Sequence, residues 1–400
     1  MTHHLVVLGA GYAGMIAAKG AARRLRRADV RVTLVNAAEH FVERVRVHQL
    51  AAGGQLAELP LAGLLAGTGI ELVVGRVTAI DADARTVRVD TGGRTVRVDT
   101  GARTGCADTG ALAAPHAAAD GTRATHRTLT YDTLVYALGS AADRDTVPGV
   151  AAYALSVATY QDAVRLRERT AEGHGTVAVA GGGATGLEVA TELAESRPGL
   201  KVRLVTDGEI GTALSERARR HLRRALHRHG VELREHSRVS EVSEHGLVLA
   251  DGSTLAADAV VWTTGFRVPE LARDAGLKVD ARGLVVVDRM LRSVSHPEVF
   301  AAGDAAAAYG PGGMPSRLSC QTALPMGLCV ARNVAASVTG GTARPLRLRY
   351  VGQNIGLGRH DGLTQVTRFD DSPREVVLTG RVAALLKEAV TRATVLAVRR

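Results

Sequence analysis

Two glycine turns of one design constrain this 400-residue chain more than anything else in it. The first follows the apolar run HLVVLGA and reads Gly9-x-Gly11-x-x-Gly14. A small-residue helix to about Arg27 comes next, then a second apolar run, VRVTLVN, ending at Asn36. The second turn repeats the plan. TVAVAG leads into Gly181-x-Gly183-x-x-Gly186, the helical run GLEVATELAES, and KVRLVTD, ending at Thr206 and Asp207. In such a unit the first glycine permits a tight turn, and the second lets backbone approach a pyrophosphate. The third lets helix and strand pack closely, while the helix N-terminus presents amides and a positive dipole end. One motif alone is weak. Two, each between a strand and a helix, predict two dinucleotide sites and an α/β fold with two Rossmann-like domains.

Two such sites in one chain point to two dinucleotides. A flavin held by one can take hydride from a nicotinamide docked on the other, so FAD with NADH or NADPH is the expected pair. Asn36 stands where an acidic residue usually holds a ribose diol, with Glu39 three residues on. At the second site Asp207 favours the free 2′-hydroxyl of NADH, and Arg203 lies inside the strand.

Composition narrows the class. The chain is 46% hydrophobic and 22% charged, a globular balance, and too long for one core. No apolar stretch reaches the roughly 18 residues of a membrane span. The opening MTHHLVVLGAG runs directly into the glycine motif, so a cytoplasmic chain is expected, with peripheral membrane contact as the other option. The formal charge is +10, but only Lys19, Lys201, Lys278 and Lys387 of the 50 basic residues are lysines, a bias that fits genome composition. An anionic lipid surface or an acidic partner would also use that charge. Aromatics make up 3% and no nucleic-acid module is present, which argues against nucleic acid. Cys106, Cys320 and Cys329 lack C-x-x-C or C-x4-C spacing, so neither a redox dithiol nor a zinc site is expected, and no other metal.

Further segments carry a resemblance. LTYDTLVYALGS (129–140), DAVVWTTGF (258–266) and EVFAAGDAA (298–306) are similar to the crossing and flavin-contact segments of the two-dinucleotide flavoprotein reductases. Within that superfamily, GAGYAGMIAA and GGGATGLEVATEL resemble type II NADH dehydrogenases and their apoptosis-inducing-factor-like relatives. The resemblance implies flavin contacts at Gly9, Gly11, Tyr12, Ala13, Gly14, Asn36, Ala137, Gly139, Gly303 and Asp304. It implies nicotinamide contacts at Gly181, Gly183, Thr185, Gly186 and Asp207, with Gly265 at the return crossing. Glu188 falls where the family places an acid between nicotinamide and flavin, and burial there is expected to raise its pKa. FVERVRVHQLAAGG (41–54) falls where the family places a segment under the isoalloxazine ring, making Arg44, Arg46 and His48 candidate contacts.

The acceptor is less defined. Quinone-reducing relatives carry an A-Q-x-A-x-Q-Q-like run beside the flavin. Here CQTALPMG (320–327) matches at Gln321 and Ala323 and has Pro325 and Met326 where the glutamine pair would fall. Gln321 is read as catalytic with Glu188. Pro325 and Met326, the latter a flavin neighbour, could make an apolar slot for a ring. The acceptor is expected to be quinone-like. A reductase of an acidic redox protein such as ferredoxin and a redox-sensing protein are the alternatives.

The expected organisation is a discontinuous FAD domain (1–148 and 265–340), an NAD(P)H domain inserted at 149–264, and a small α+β segment at 341–400. That last segment reads as strands, then a helix with an apolar face at Val382, Leu385, Leu386, Ala389 and Val390. The helix is expected to pack on the body or on a second copy. SERARRHLRRALHRHG reads as a helix with inner face Ala218, Leu222, Ala225 and Leu226. Residues 86–128 form an insertion. It holds TVRVDTG at Thr86 and again at Thr95, then a loop poor in large apolar residues.

Overall fold

The computed structural model describes residues 1–92 and 125–400. Its frame is two five-stranded parallel sheets. The first runs, in spatial order, Val299–Ala301, Thr133–Tyr136, His3–Leu8, Val30–Asn36 and Ile70–Val74. The second runs Glu232–Arg234, Leu200–Val205, Gly175–Ala180, Ala259–Trp262 and Ala154–Ser156. The middle strand of each sheet ends in a glycine turn. Both are covered on two faces, so the strands read as unbroken apolar runs: Leu5 to Leu8 and Val177 to Ala180 are all buried. The strands of the second sheet fall in sequence between Thr133–Tyr136 and Val299–Ala301 of the first. The outgoing segment Ala141–Ala142 pairs antiparallel with the returning Phe266–Arg267.

The turns need glycine for room as well as for backbone angle. Gly9 has φ +95° and Gly181 φ +118°, values side-chain-bearing residues rarely adopt. A Cβ on Gly14 would sit 1.8 Å from the Gly9 carbonyl oxygen, and one on Gly186 1.9 Å from that of Gly181. The helices Tyr12–Leu25 and Ala184–Ser196 therefore start almost against their own strands.

The C-terminal segment is a three-stranded antiparallel sheet (Gly352–Gly356, Gly362–Thr367, Pro373–Thr379) followed by the helix Gly380–Arg399. It is built into both cores. Ile355, Leu357, Leu363 and Val377 join the apolar core of the second sheet, and Val395 and Val398 that of the first. Lys19, on the helix after the first turn, is 7% exposed, and its Nζ donates to the carbonyls of Leu64, Val398 and Arg399 at 3.1, 2.9 and 2.9 Å. A cation thus meets the negative end of the terminal helix. One expectation needs correction. The helix packs through Ala383, Thr391, Thr394, Val395 and Val398, while Val382, Leu385, Leu386 and Val390 are exposed. The buried stripe is rich in small and β-branched polar residues, which hydropathy alone does not mark.

The helix Glu216–Arg228 buries Ala218, Leu222, Ala225 and Leu226, and its Ser215 cap accepts from the Ala218 amide at 3.4 Å. Thr86–Asp90 is a strand between Arg76–Asp81 and His126–Thr130. The second TVRVDTG run, the stretch up to residue 124 and Cys106 lie outside the described residues. No helix among the described residues is long and apolar enough to cross a membrane.

Candidate functional site

Both helix N-termini are open where a ligand would approach. A Cβ on Gly11 or Gly183 would meet nothing within 4 Å, although both flank crowded glycines. The first-turn amides, at Tyr12 and Ala13 in one helix and Thr185 and Gly186 in the other, have no intrahelical partner and face that space. Each turn is braced from its own sheet. The Asn36 Oδ1 accepts from the Ala10 amide at 2.9 Å, and its Nδ2 donates to the Ala38 carbonyl at 2.7 Å. At the second turn Thr263 Oγ1 donates to the Ala180 carbonyl at 2.8 Å. Asn36 therefore serves the loop itself. The Tyr12 ring is buried edge-on against Phe41, with centroids 5.1 Å apart, so this residue offers backbone to the open side. Ala137 forms the wall of the first turn: its carbonyl would lie 2.3 Å from a Cβ on Gly9.

Arg44, Gly139, Gly303 and Asp304 come together in front of the first sheet. Ser140 Oγ donates to Asp304 Oδ2 at 2.7 Å, and Arg44 Nη1 donates to the Ser140 carbonyl at 3.0 Å, 3.8 Å from the Asp304 carboxylate. Glycines with positive φ at 139 and 303 keep the approach clear. The group presents donors and a carboxylate of the kind that could hold a polyol and phosphates, and Ser140 is a member that the sequence alone did not assign. Gly265, at the paired crossing, is exposed, and a Cβ there would sit 3.0 Å from Asp143 Cβ. Asp207 is exposed just beyond the strand Leu200–Val205. Arg203 is engaged elsewhere, with Glu232 at 2.8 Å and the Ala256 carbonyl at 2.7 Å.

Glu188 sits where several elements meet. Its Oε1 accepts from the Gly356 amide at 3.2 Å and from Lys387 Nζ of the terminal helix, and its Oε2 lies 3.7 Å from His48 Nδ1. Burial alone would push the carboxyl up. The Lys387 ammonium, His48 and the Gly356 amide outweigh burial and hold it below its ordinary value. The expected rise is thus reversed, because a cation unreadable from the local sequence is buried beside the acid. Burial pushes the His48 imidazole down to about 4 against the pull of Glu188, so His48 is neutral near pH 7. Glu192 and Glu195 continue the same helix stripe and meet Arg359, through its side chain at 2.7 Å and its amide respectively.

Two of the candidate flavin contacts have protein partners. Arg46 pairs with Glu388 at 2.7 Å and with Glu43 at 3.4 Å, and His48 is buried against Glu188. On the helix Cys320–Thr339, Gln321 lies half-buried in the first turn. Met326 is 1% exposed within the core of the first sheet, so it cannot line an open slot with Pro325. Successive helical residues point about 100° apart, which sends the pair in different directions. Pro325 has no amide to give the Gln321 carbonyl and so releases it. Burial raises both described cysteines, Cys320 and Cys329, away from the thiolate form, and both are free thiols.

Two parallel sheets, each with a glycine turn that opens onto a helix N-terminus, fit an FAD-dependent NAD(P)H oxidoreductase. The chain belongs to the pyridine nucleotide-disulphide oxidoreductase family, which it matches over residues 3–327. It is 31% identical to an NADH dehydrogenase-like protein of Mycobacterium tuberculosis, over 96% of this chain and 92% of that one. It is 25% identical to a type II NADH:quinone oxidoreductase of Staphylococcus haemolyticus, over 97% and 94%. In fold it is similar to NDH2 of Plasmodium falciparum, solved in complex with NADH, with TM-score 0.78, 13% identity and coverage of 100% and 96%.

Proposed function

We propose that the protein oxidises NADH and passes the electrons to a small quinone-like acceptor, NADH + H⁺ + quinone giving NAD⁺ + quinol. The observation that carries this reading is the position of Glu188. The helix of the second glycine turn places this acid against the His48 segment and the terminal helix, within electrostatic reach of Cys320, the neighbour of Gln321. Bound FAD would supply the hydride-accepting chemistry. Gly9, Gly11, Gly14, Arg44, Ser140, Gly303 and Asp304 would hold it, and Gly181, Gly183, Thr185 and Gly186 would dock the nicotinamide nucleotide. Glu188, kept ionised by Lys387, serves as a hydrogen-bond acceptor at the transfer site. Domain limits of 1–148 with 265–340, 149–264 and 341–400 fit this division of labour.

NADH is preferred in this reading, because Asp207 is exposed at the strand end and Arg203 is committed to Glu232. Anaerobic reduction of the yellow protein tests the proposal. NADH should bleach the flavin faster than NADPH, and menadione should restore the colour within turnover time. Bleaching without recovery by any quinone would remove the acceptor assignment. No bleaching by either nucleotide would remove the nicotinamide assignment of residues 181–186.

A further inference from the structure

A cavity of about 430 Å³ opens between the terminal helix, the 46–55 segment and the strand end at Gly356–Arg359. Ligand pockets run from roughly 300 to 1,000 Å³. Three of its lining residues, Lys387, His48 and Gly356, touch Glu188. The cavity thus begins one side chain away from the acid placed at the transfer site.

Its lining is charged, and the charges can be followed pair by pair. Arg46 is matched by Glu388 and Glu43, Arg359 by Glu192, and Lys387 by Glu188. Asp361 takes the Arg228 guanidinium, the His221 ring at 3.0 Å and the amides of Gly362 and Gly380 at 2.7 and 2.9 Å. Arg381 is left over: among the described residues this guanidinium has no carboxylate partner and no hydrogen bond. It stands in the first turn of the terminal helix, one turn before Leu385 on the same face. Leu385 also lines the cavity and is 70% exposed.

A neutral, greasy ring with a long tail would strip water from Arg381 and the nearby Gln49 and Gln55 without replacing those bonds, which is costly. An anionic substituent would give Arg381 a charge-assisted bond, while Leu385 supplies apolar ground for the ring. We infer that the electron acceptor is a ring compound bearing an anionic group, a carboxylate or sulfonate, which Arg381 docks at the mouth of this cavity. The inference rests on the proposed acceptor chemistry and adds the class of acceptor.

The test uses the holoenzyme, reduced anaerobically by NADH and reoxidised in a stopped flow. The two oxidants are 1,4-naphthoquinone-2-sulfonate and the neutral 2-methyl-1,4-naphthoquinone. Each oxidant is compared with itself across variants, so the difference in their potentials cancels. R381Q should lower the sulfonate-to-neutral ratio of reoxidation kcat/KM by about tenfold, the value of one charge-assisted contact. R381K should recover part of it. The wild-type ratio should fall as salt is raised, and the R381Q ratio should not. An R381Q ratio equal to wild type overturns the inference. If neither quinone restores the flavin, the acceptor reading fails, and calorimetry with naphthalene-2-sulfonate still decides this one. Equal affinity for wild type and R381Q would end it, and a tenfold loss would uphold it.

Discussion

Lys387 and Glu188 lie 199 residues apart in sequence and in contact in the fold. Removing one partner of a buried pair leaves an uncompensated charge, so K387M should cost about 3 kcal/mol of stability in denaturant unfolding. E188Q/K387M should lose less than K387M alone. A K387M protein within about 0.5 kcal/mol of wild type would mean the pair is not effectively buried. His48 makes a pH prediction. Its folded pKa, about 4, lies below the ordinary 6.5, so the unfolded chain binds the extra proton between these values. Stability is therefore full above about pH 6.5 and declines as pH falls toward 4, by at most about 3 kcal/mol. Glu188, also depressed, adds its loss only below its ordinary 4.5. The midpoint of thermal unfolding should fall less steeply from pH 6.5 to 4.5 in H48N than in wild type. Identical slopes would show that His48 already titrates normally. At this scale the sequence was legible in one direction. The acid at 188 could be read from its place in the motif, whereas its charge state depended on a lysine that looked like a helix flank.

At the scale of elements the two glycine turns should act independently. Gly14→Ala puts a methyl group 1.8 Å from the Gly9 carbonyl, and Gly186→Ala does the same at Gly181. Strain of about 1–3 kcal/mol is expected in each, together with a displaced helix N-terminus. G14A should purify without yellow colour. G186A should stay yellow and resist bleaching by NADH. Loss of flavin from G186A alone would contradict the assignment of ligands to turns. The terminal helix is held by Lys19. K19M leaves three carbonyls without their donor and should speed amide hydrogen exchange over residues 390–400 while the first sheet stays protected. Strand–turn–helix order could be read from the sequence because apolar runs and glycines are local signals. The face on which the terminal helix packs could not, since its buried stripe includes Thr391 and Thr394.

Across the whole molecule the C-terminal segment is part of the packed body. Its apolar residues complete both cores, and its Lys387 and Arg359 neutralise acids of the second-turn helix. A chain ending at residue 340 should therefore lose flavin and cooperative unfolding together, as read by absorbance and circular dichroism. A truncated protein that kept both would make the segment a detachable appendage. By itself the sequence determined the α/β class, the two glycine turns and the Gly303–Asp304 pair as a candidate flavin contact. Each is a short pattern whose chemistry lies in neighbouring backbone, so a few residues carry the whole message. The tertiary structure alone decided that Lys387 holds the Glu188 carboxyl below its ordinary value, that Arg46 pairs with Glu388, and that Met326 is core. It also decided that Arg381, without a partner among the described residues, stands at a cavity. These outcomes are balances of charge and packing between distant parts of the chain, such as Lys19 and Val398, 379 residues apart, and no local pattern records a partner so far away.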